Sequence, residues 1–150
     1  MPEGYVEIPE IRVMRVRADM KGKGPPEAFA LLESRLPTLK GRRFYGTFRM
    51  TPDGEEYWAC VARKEEDDPK AMQLETGVIP GGWYVRKKVR NWEKVVQEGQ
   101  LPAIFEELIR RNADNIDESR PSVELYRSRD ELLAMMPVMR PPPSKVEQRF

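Results

Sequence analysis

Apolar and polar residues alternate along "YVEIPEIRVMRVRA", a two-residue period that predicts a strand with Val6 and Ile8, then Ile11, Val13 and Val16, turned inward. Pro9 interrupts the run, and a strand that tolerates proline belongs at a sheet edge. The period then changes. In "KGKGPPEAFALLESRLPTL", Gly24 and Pro25 open a helix, Phe29, Leu32 and Leu36 share one face of it, and Pro37 stops it. After Gly41, "RRFYGTFRM" and "EYWACVARK" return to strand patterning. They are joined by "TPDGE", whose Pro-Asp-Gly core signals a turn, so the two runs predict a hairpin.

The same order then recurs. "KEEDDPK" reads as a solvated connection, and "MQLETGVIPGGWYVRKKVRNW" as a β-rich segment broken at Pro80-Gly81-Gly82. "LPAIFEELIRRNADN" is an amphipathic helix with Pro102 near its first turn and Ile104, Phe105, Leu108 and Ile109 on one face. "SVELYRSRD" and "ELLAMMPVM" supply two more strands. The expected fold is therefore α+β, with a β-α-β-β unit used twice, over about residues 5–64 and 72–139. The two units are expected to form an antiparallel sheet with two helices and a central cleft at their pseudo-two-fold seam, where ligand pockets tend to form. Residues 1–140 form one expected domain, and the proline-rich 141–150 an extended tail.

Composition narrows the chemistry. At 150 residues, 39% hydrophobic and 34% charged, the chain has material for one core and none for a second. Lys and Arg total 26 against 25 Asp and Glu, so no net field draws it toward nucleic acid or an anionic membrane. Cys60 stands alone and histidine is absent, which excludes an intrachain disulfide, a zinc cage of Cys and His, and a His-dependent triad. No metal or cofactor is expected, and acid–base work would fall to carboxylates, Tyr or Lys. "MPEGYVEIPE" is too polar for a signal peptide and no apolar run approaches the roughly 20 residues of a membrane span, so a soluble cytoplasmic chain is the expectation. In "VRKKVR", Arg86, Lys88 and Arg90 share a strand face, read as solvated because no helix-turn-helix pattern accompanies it.

One stretch carries candidate chemistry. In "SVELYRS", Val123 and Leu125 fall on one strand face, Glu124 and Tyr126 on the other. Facing water, the second pair is ordinary surface; lining a cavity, a carboxylate beside an aromatic ring is a site for a cation. A buried carboxylate is costly while unpaired, and a lipophilic cation supplies the countercharge while covering apolar wall. Aromatic rings add cation–π contacts of roughly 0.5–2 kcal/mol each. Rings on or beside strands are Tyr45, Tyr57, Trp58, Trp83, Tyr84 and Trp92. Alternation sets Tyr57 and Trp58 on opposite faces, and Trp83 and Tyr84 likewise, so at most one of each pair lines a given surface.

The order of elements, with "IPGGWYVRKKV", "RPSVELY" and the closing "ELLAMMPV", resembles the gyrase-inhibitor-like (GyrI-like) effector-binding domain family over roughly residues 5–138. Such domains also form the drug-sensing part of some multidrug-responsive transcription activators. The resemblance implies a duplicated β-α-β-β fold whose cleft admits lipophilic, often cationic or flat aromatic compounds. It also implies a Glu-x-Tyr strand, here Glu124 and Tyr126, whose carboxylate reaches the ligand. Tyr57, Trp58, Trp83, Tyr84 and Tyr45 complete the candidate ligand-binding set.

Three functions follow as expectations. The first is a stand-alone protein that senses or sequesters lipophilic toxic compounds, since no residues remain for a DNA-binding module. The second is a metal-independent hydrolase of electrophilic cyclopropane-containing cytotoxins, with Glu124 as general base and Tyr126, Tyr57 or Tyr84 as hydrogen-bond donor. The third is a protein-interaction inhibitor of the gyrase-inhibitor type, its partner gyrase or a regulator. SOUL-type haem proteins share the duplicated arrangement, but without histidine only Cys60, Met or Tyr could serve as axial ligand.

Overall fold

In the computed structural model residues 4–141 are described, so most of the expected proline-rich tail lies outside the described residues. The alternating N-terminal run is divided where Pro9 withholds a ladder donor. β1 (Tyr5–Ile8) and β2 (Ile11–Arg17) flank it and join opposite ends of the sheet. Next come α1 (Pro25–Ser34), the hairpin β3 (Phe44–Thr51) and β4 (Gly54–Ala62), and β5 (Glu75–Ile79). β6 (Gly82–Arg90), α2 (Trp92–Gln97), α3 (Leu101–Arg111), β7 (Ser122–Tyr126) and β8 (Glu131–Pro137) complete the chain.

Among the described residues the architecture is α+β: one curled antiparallel sheet of eight strands, ordered β1-β6-β8-β7-β3-β4-β2-β5, with three helices. The repeated units are β2-α1-β3-β4 and β6-α3-β7-β8, joined edge to edge through β3 and β7. Each unit also lends a strand to the other. β1, just before the first unit, pairs with β6 of the second, and β5, just before the second, pairs with β2 of the first. Two-residue links therefore connect strands at opposite ends of the order, which a flat sheet forbids and a curled one allows. The links touch: a Cβ on Gly81 would stand 2.7 Å from the Glu10 backbone nitrogen.

Alternation sorts side chains into two layers. The helix-bearing face buries Met14, Tyr57 and Val61 in one cluster with Leu32 of α1, and Val85, Leu132 and Ala134 in another with Leu108 of α3. The opposite face buries Val13, Tyr45, Cys60, Ile79, Tyr84 and Val123. Arg86, Lys88 and Arg90 are exposed on that second face, two of them in ion pairs with Glu131 and Asp130.

Two features depart from the sequence expectation. α2 follows Asn91, which adopts the left-handed φ of 53°, and its six residues are too few to display a helical period. "KEEDDPK" is not wholly solvated, because Asp67 is buried and accepts from both terminal nitrogens of Arg42 at 2.7 Å and from the Lys64 backbone at 2.8 Å. No described helix is long and apolar enough to cross a membrane.

Candidate functional site

Strand register builds the site. Gly46 of β3 faces Glu124 of β7 across the seam, Ala134 of β8 flanks Glu124 on its other side, and Ala59 of β4 flanks Gly46. Glu124 thus stands in a row of neighbours no larger than a methyl group. Longer side chains lean over that row from either end, and the hydroxyls of Tyr57 and Tyr126 both donate to Glu124 Oε1, at 2.6 and 2.7 Å. Gly46 makes the meeting sterically possible, since a Cβ there would lie 2.6 Å from Oε1 and 2.7 Å from Tyr57 Cζ. Phe29 of α1 packs edge-on against both phenols, its centroid 5.3 Å from Tyr126 and 6.3 Å from Tyr57. Trp92 of α2 closes the far side of Tyr126 at 5.0 Å.

The electrostatics follow from burial. Desolvation raises the Glu124 carboxyl above its ordinary pKa, and the two phenol donors pull it partly back. Burial and the adjoining carboxylate raise both phenols, so Tyr57 and Tyr126 remain protonated donors at neutral pH. Among the described residues no Lys or Arg offsets the Glu124 charge. Among the described residues Oε2 takes no hydrogen bond.

Glu124 and Tyr57 line a cleft of about 730 Å³, a size suited to a drug-like ligand. Met20, Phe48 and Met50 form its wall on one unit; Leu101, Phe105, Ile109 and Met136 form the other. Among the described residues that line it, five carboxylates, Glu55, Glu106, Asp117, Glu118 and Glu124, outnumber the guanidiniums of Arg49 and Arg120. Both of those are engaged, Arg49 with Glu56 at 3.2 Å and Arg120 with Asp117 at 2.7 Å. The cleft is apolar in its walls and acidic in its balance.

The sequence-derived candidates separate on this geometry. Glu124 and Tyr57 line the cleft, while Tyr126 stands behind, bonded to Glu124 and turned toward Phe29 and Trp92. Tyr45, Trp58 and Tyr84 do not line it, because strand alternation puts them on the opposite sheet face. Tyr45 and Tyr84 are core residues there, the Tyr84 hydroxyl donating to the Pro80 carbonyl at 2.6 Å. Trp58 stacks 3.8 Å from the Arg15 guanidinium and donates its Nε1–H to Glu56. Trp83 shares the helix-bearing face but packs in the α3 core, outside the cleft. Gly46 is missing from those candidates, although an isolated glycine within "FYGTF" is itself a sign of close approach.

Among the described residues no group of His, Cys, Asp and Glu is arranged to hold a metal ion. Cys60 lies buried on the far face, its thiol pushed up to about 12 by burial.

No protein-family model and no curated protein matches the chain. Solved structures do. SAV2435 bound to tetraphenylphosphonium matches with a TM-score of 0.64 and 13% identity, over 96% of this chain and 94% of that one. An integron cassette protein from Vibrio cholerae matches with a TM-score of 0.54 and 16% identity, over 89% and 94%. A hydrolase from Listeria innocua matches with a TM-score of 0.54 and 12% identity, over 89% and 90%. At such identities the likeness establishes a common fold, and function has to be argued from the cleft.

Proposed function

We propose that this is a small-molecule binding protein of the GyrI-like kind, which senses or sequesters lipophilic cations in the cleft with Glu124 as countercharge. What carries this reading is a half-buried, desolvated carboxylate, lining an apolar cleft, that has hydrogen-bond donors on one oxygen and, among the described residues, no cation beside it. A lipophilic cation entering the cleft offsets the desolvated charge and removes its own apolar surface from water together with that of the walls. SAV2435, which has the same fold, binds tetraphenylphosphonium, a ligand of this chemistry.

Isothermal titration with tetraphenylphosphonium and neutral triphenylphosphine oxide, on wild type and Glu124→Gln, tests the proposal. Saturable cation binding that weakens about tenfold or more in the folded variant is expected, with the neutral compound little affected. Absent binding, or binding indifferent to the substitution, would favour the protein-interaction role instead.

Hydrolysis of electrophilic cyclopropane-containing compounds is a second reading, favoured by the same carboxylate. Its raised pKa and unbonded Oε2 suit proton abstraction from a water. Tyr57 and Tyr126 would then position the base. Conversion of such a compound, followed by mass spectrometry and lost in Glu124→Gln, supports turnover; recovery of unaltered compound from a saturated complex rules it out.

A further inference from the structure

We propose that the cleft discriminates between cations by head group, accepting onium centres that carry no N–H, such as quaternary ammonium or phosphonium, and disfavouring guanidinium and amidinium groups on the same lipophilic body. This selectivity presupposes the cation-binding function above and specifies its ligand class.

A guanidinium recognises a carboxylate as a fork, with two parallel N–H groups donating to the two oxygens. A carboxylate oxygen has two lone-pair positions, and those of Glu124 Oε1 are engaged by Tyr57 at 2.6 Å and Tyr126 at 2.7 Å. Neither donor is readily displaced. Tyr57 is 4% exposed and edge-packed by Phe29, and Tyr126 is held between Phe29 and Trp92. Only Oε2 is left, so the fork has one acceptor where it requires two.

The remaining N–H groups of a guanidinium would then meet mainly Met20, Phe48, Phe105 and Met136; of the other lining groups, the Ser122 hydroxyl is a neutral acceptor that itself donates to the Phe48 carbonyl, and Asp117 is already paired with Arg120. Donors desolvated without partners weaken binding. Glu55, Glu106 and Glu118 also line the cleft but are exposed, where water screens their attraction. An onium centre without N–H has no donors to satisfy. It needs only nearness to the charge and contact with thioethers and rings. Gly46 is the positioning residue behind this selectivity, because the absence of its Cβ allows the Tyr57 hydroxyl to reach Oε1.

The test is calorimetric titration of three compounds sharing a biphenylmethyl body, carrying trimethylammonium, guanidinium or a neutral hydroxyl. In wild type the trimethylammonium compound is expected to bind about tenfold more tightly than the guanidinium one, although their charges are equal. Tyr57→Phe and Tyr126→Phe each open one position on Oε1 and should narrow that ratio, with circular dichroism confirming the fold. Should a tyrosine variant not fold, the wild-type ranking decides alone. Guanidinium binding as tight as trimethylammonium in wild type, with both weakened in Glu124→Gln, would overturn the selectivity and leave cation binding intact. If neither charged compound exceeds the neutral one, cation binding itself fails, and the selectivity with it.

Discussion

Replacing Gly46 with alanine adds one methyl group where the structure has no space for it. The new Cβ would stand 2.6 Å from Glu124 Oε1 and 2.7 Å from Tyr57 Cζ, whereas ordinary contact begins at 3.4 Å. Neither neighbour is the loose end of a flexible side chain, since the phenol and carboxylate are bonded to each other under Phe29. Gly46 does not have a positive φ, so alanine suits the strand and recovers about 0.5–1 kcal/mol of backbone entropy. Against that stand overpacking at about 1–3 kcal/mol and a lost phenol hydrogen bond at about 1 kcal/mol. The net destabilisation is about 1–3 kcal/mol, or about 2–12 °C in Tm at this chain length. Urea denaturation followed by circular dichroism measures it directly. Gly46→Ala/Tyr57→Phe should recover part of the loss, because the hydroxyl that the methyl group meets is gone, giving a non-additive cycle of about 0.5–3 kcal/mol. An alanine variant as stable as wild type, or a strictly additive double variant, would refute the crowding argument.

Three further outcomes are expected. The raised Glu124 pKa means that the native state holds this proton more tightly than the unfolded chain, so its contribution is full at low pH and declines as pH rises from about 4 through the raised value. The urea midpoint of wild type relative to Glu124→Gln should fall accordingly, and a difference constant with pH would contradict this. Asp67 has the opposite sign: its bonds from Arg42 lower its pKa, so its contribution is full above the ordinary carboxylate range and is lost as pH falls through the lowered value. Removing either buried partner with Arg42→Ala or Asp67→Ala should cost about 3–5 kcal/mol in urea denaturation at neutral pH, and a loss below about 1 kcal/mol would refute the pairing. Cys60, with its thiol pushed up to about 12, should react with a thiol reagent only as fast as the protein unfolds; rapid labelling of native protein would contradict its burial.

Periodicity was enough to reveal the repeated strand and helix order, and to set Glu124 and Tyr126 opposite Val123 and Leu125. The "TPDGE" turn likewise stands where its residues indicate, with Thr51 facing Gly54. Alternation is only relative, however. It parts Tyr57 from Trp58, but which of them meets Glu124 depends on the pairing of β3 with β4 and β7. Nor does a strand pattern name its partner, so the exchange of β1 and β5 between units could not be read from "YVEIPEIRV". Asp67 looks solvated in its charged run because Arg42, which buries it, lies 25 residues earlier. Gly46 acquires its meaning only when the register places it opposite Glu124.

The account rests most directly on the charge of Glu124, and the affinity for tetraphenylphosphonium as a function of pH tests it. Titrations from about pH 4 to about pH 8, with triphenylphosphine oxide as the neutral control, span the range in which a raised carboxyl ionises. The wild-type cation affinity should rise by up to about tenfold per pH unit below the raised Glu124 value and level off above it, while Glu124→Gln and the neutral control stay flat. A cation affinity independent of pH, and equal in wild type and Glu124→Gln, would contradict the central claim.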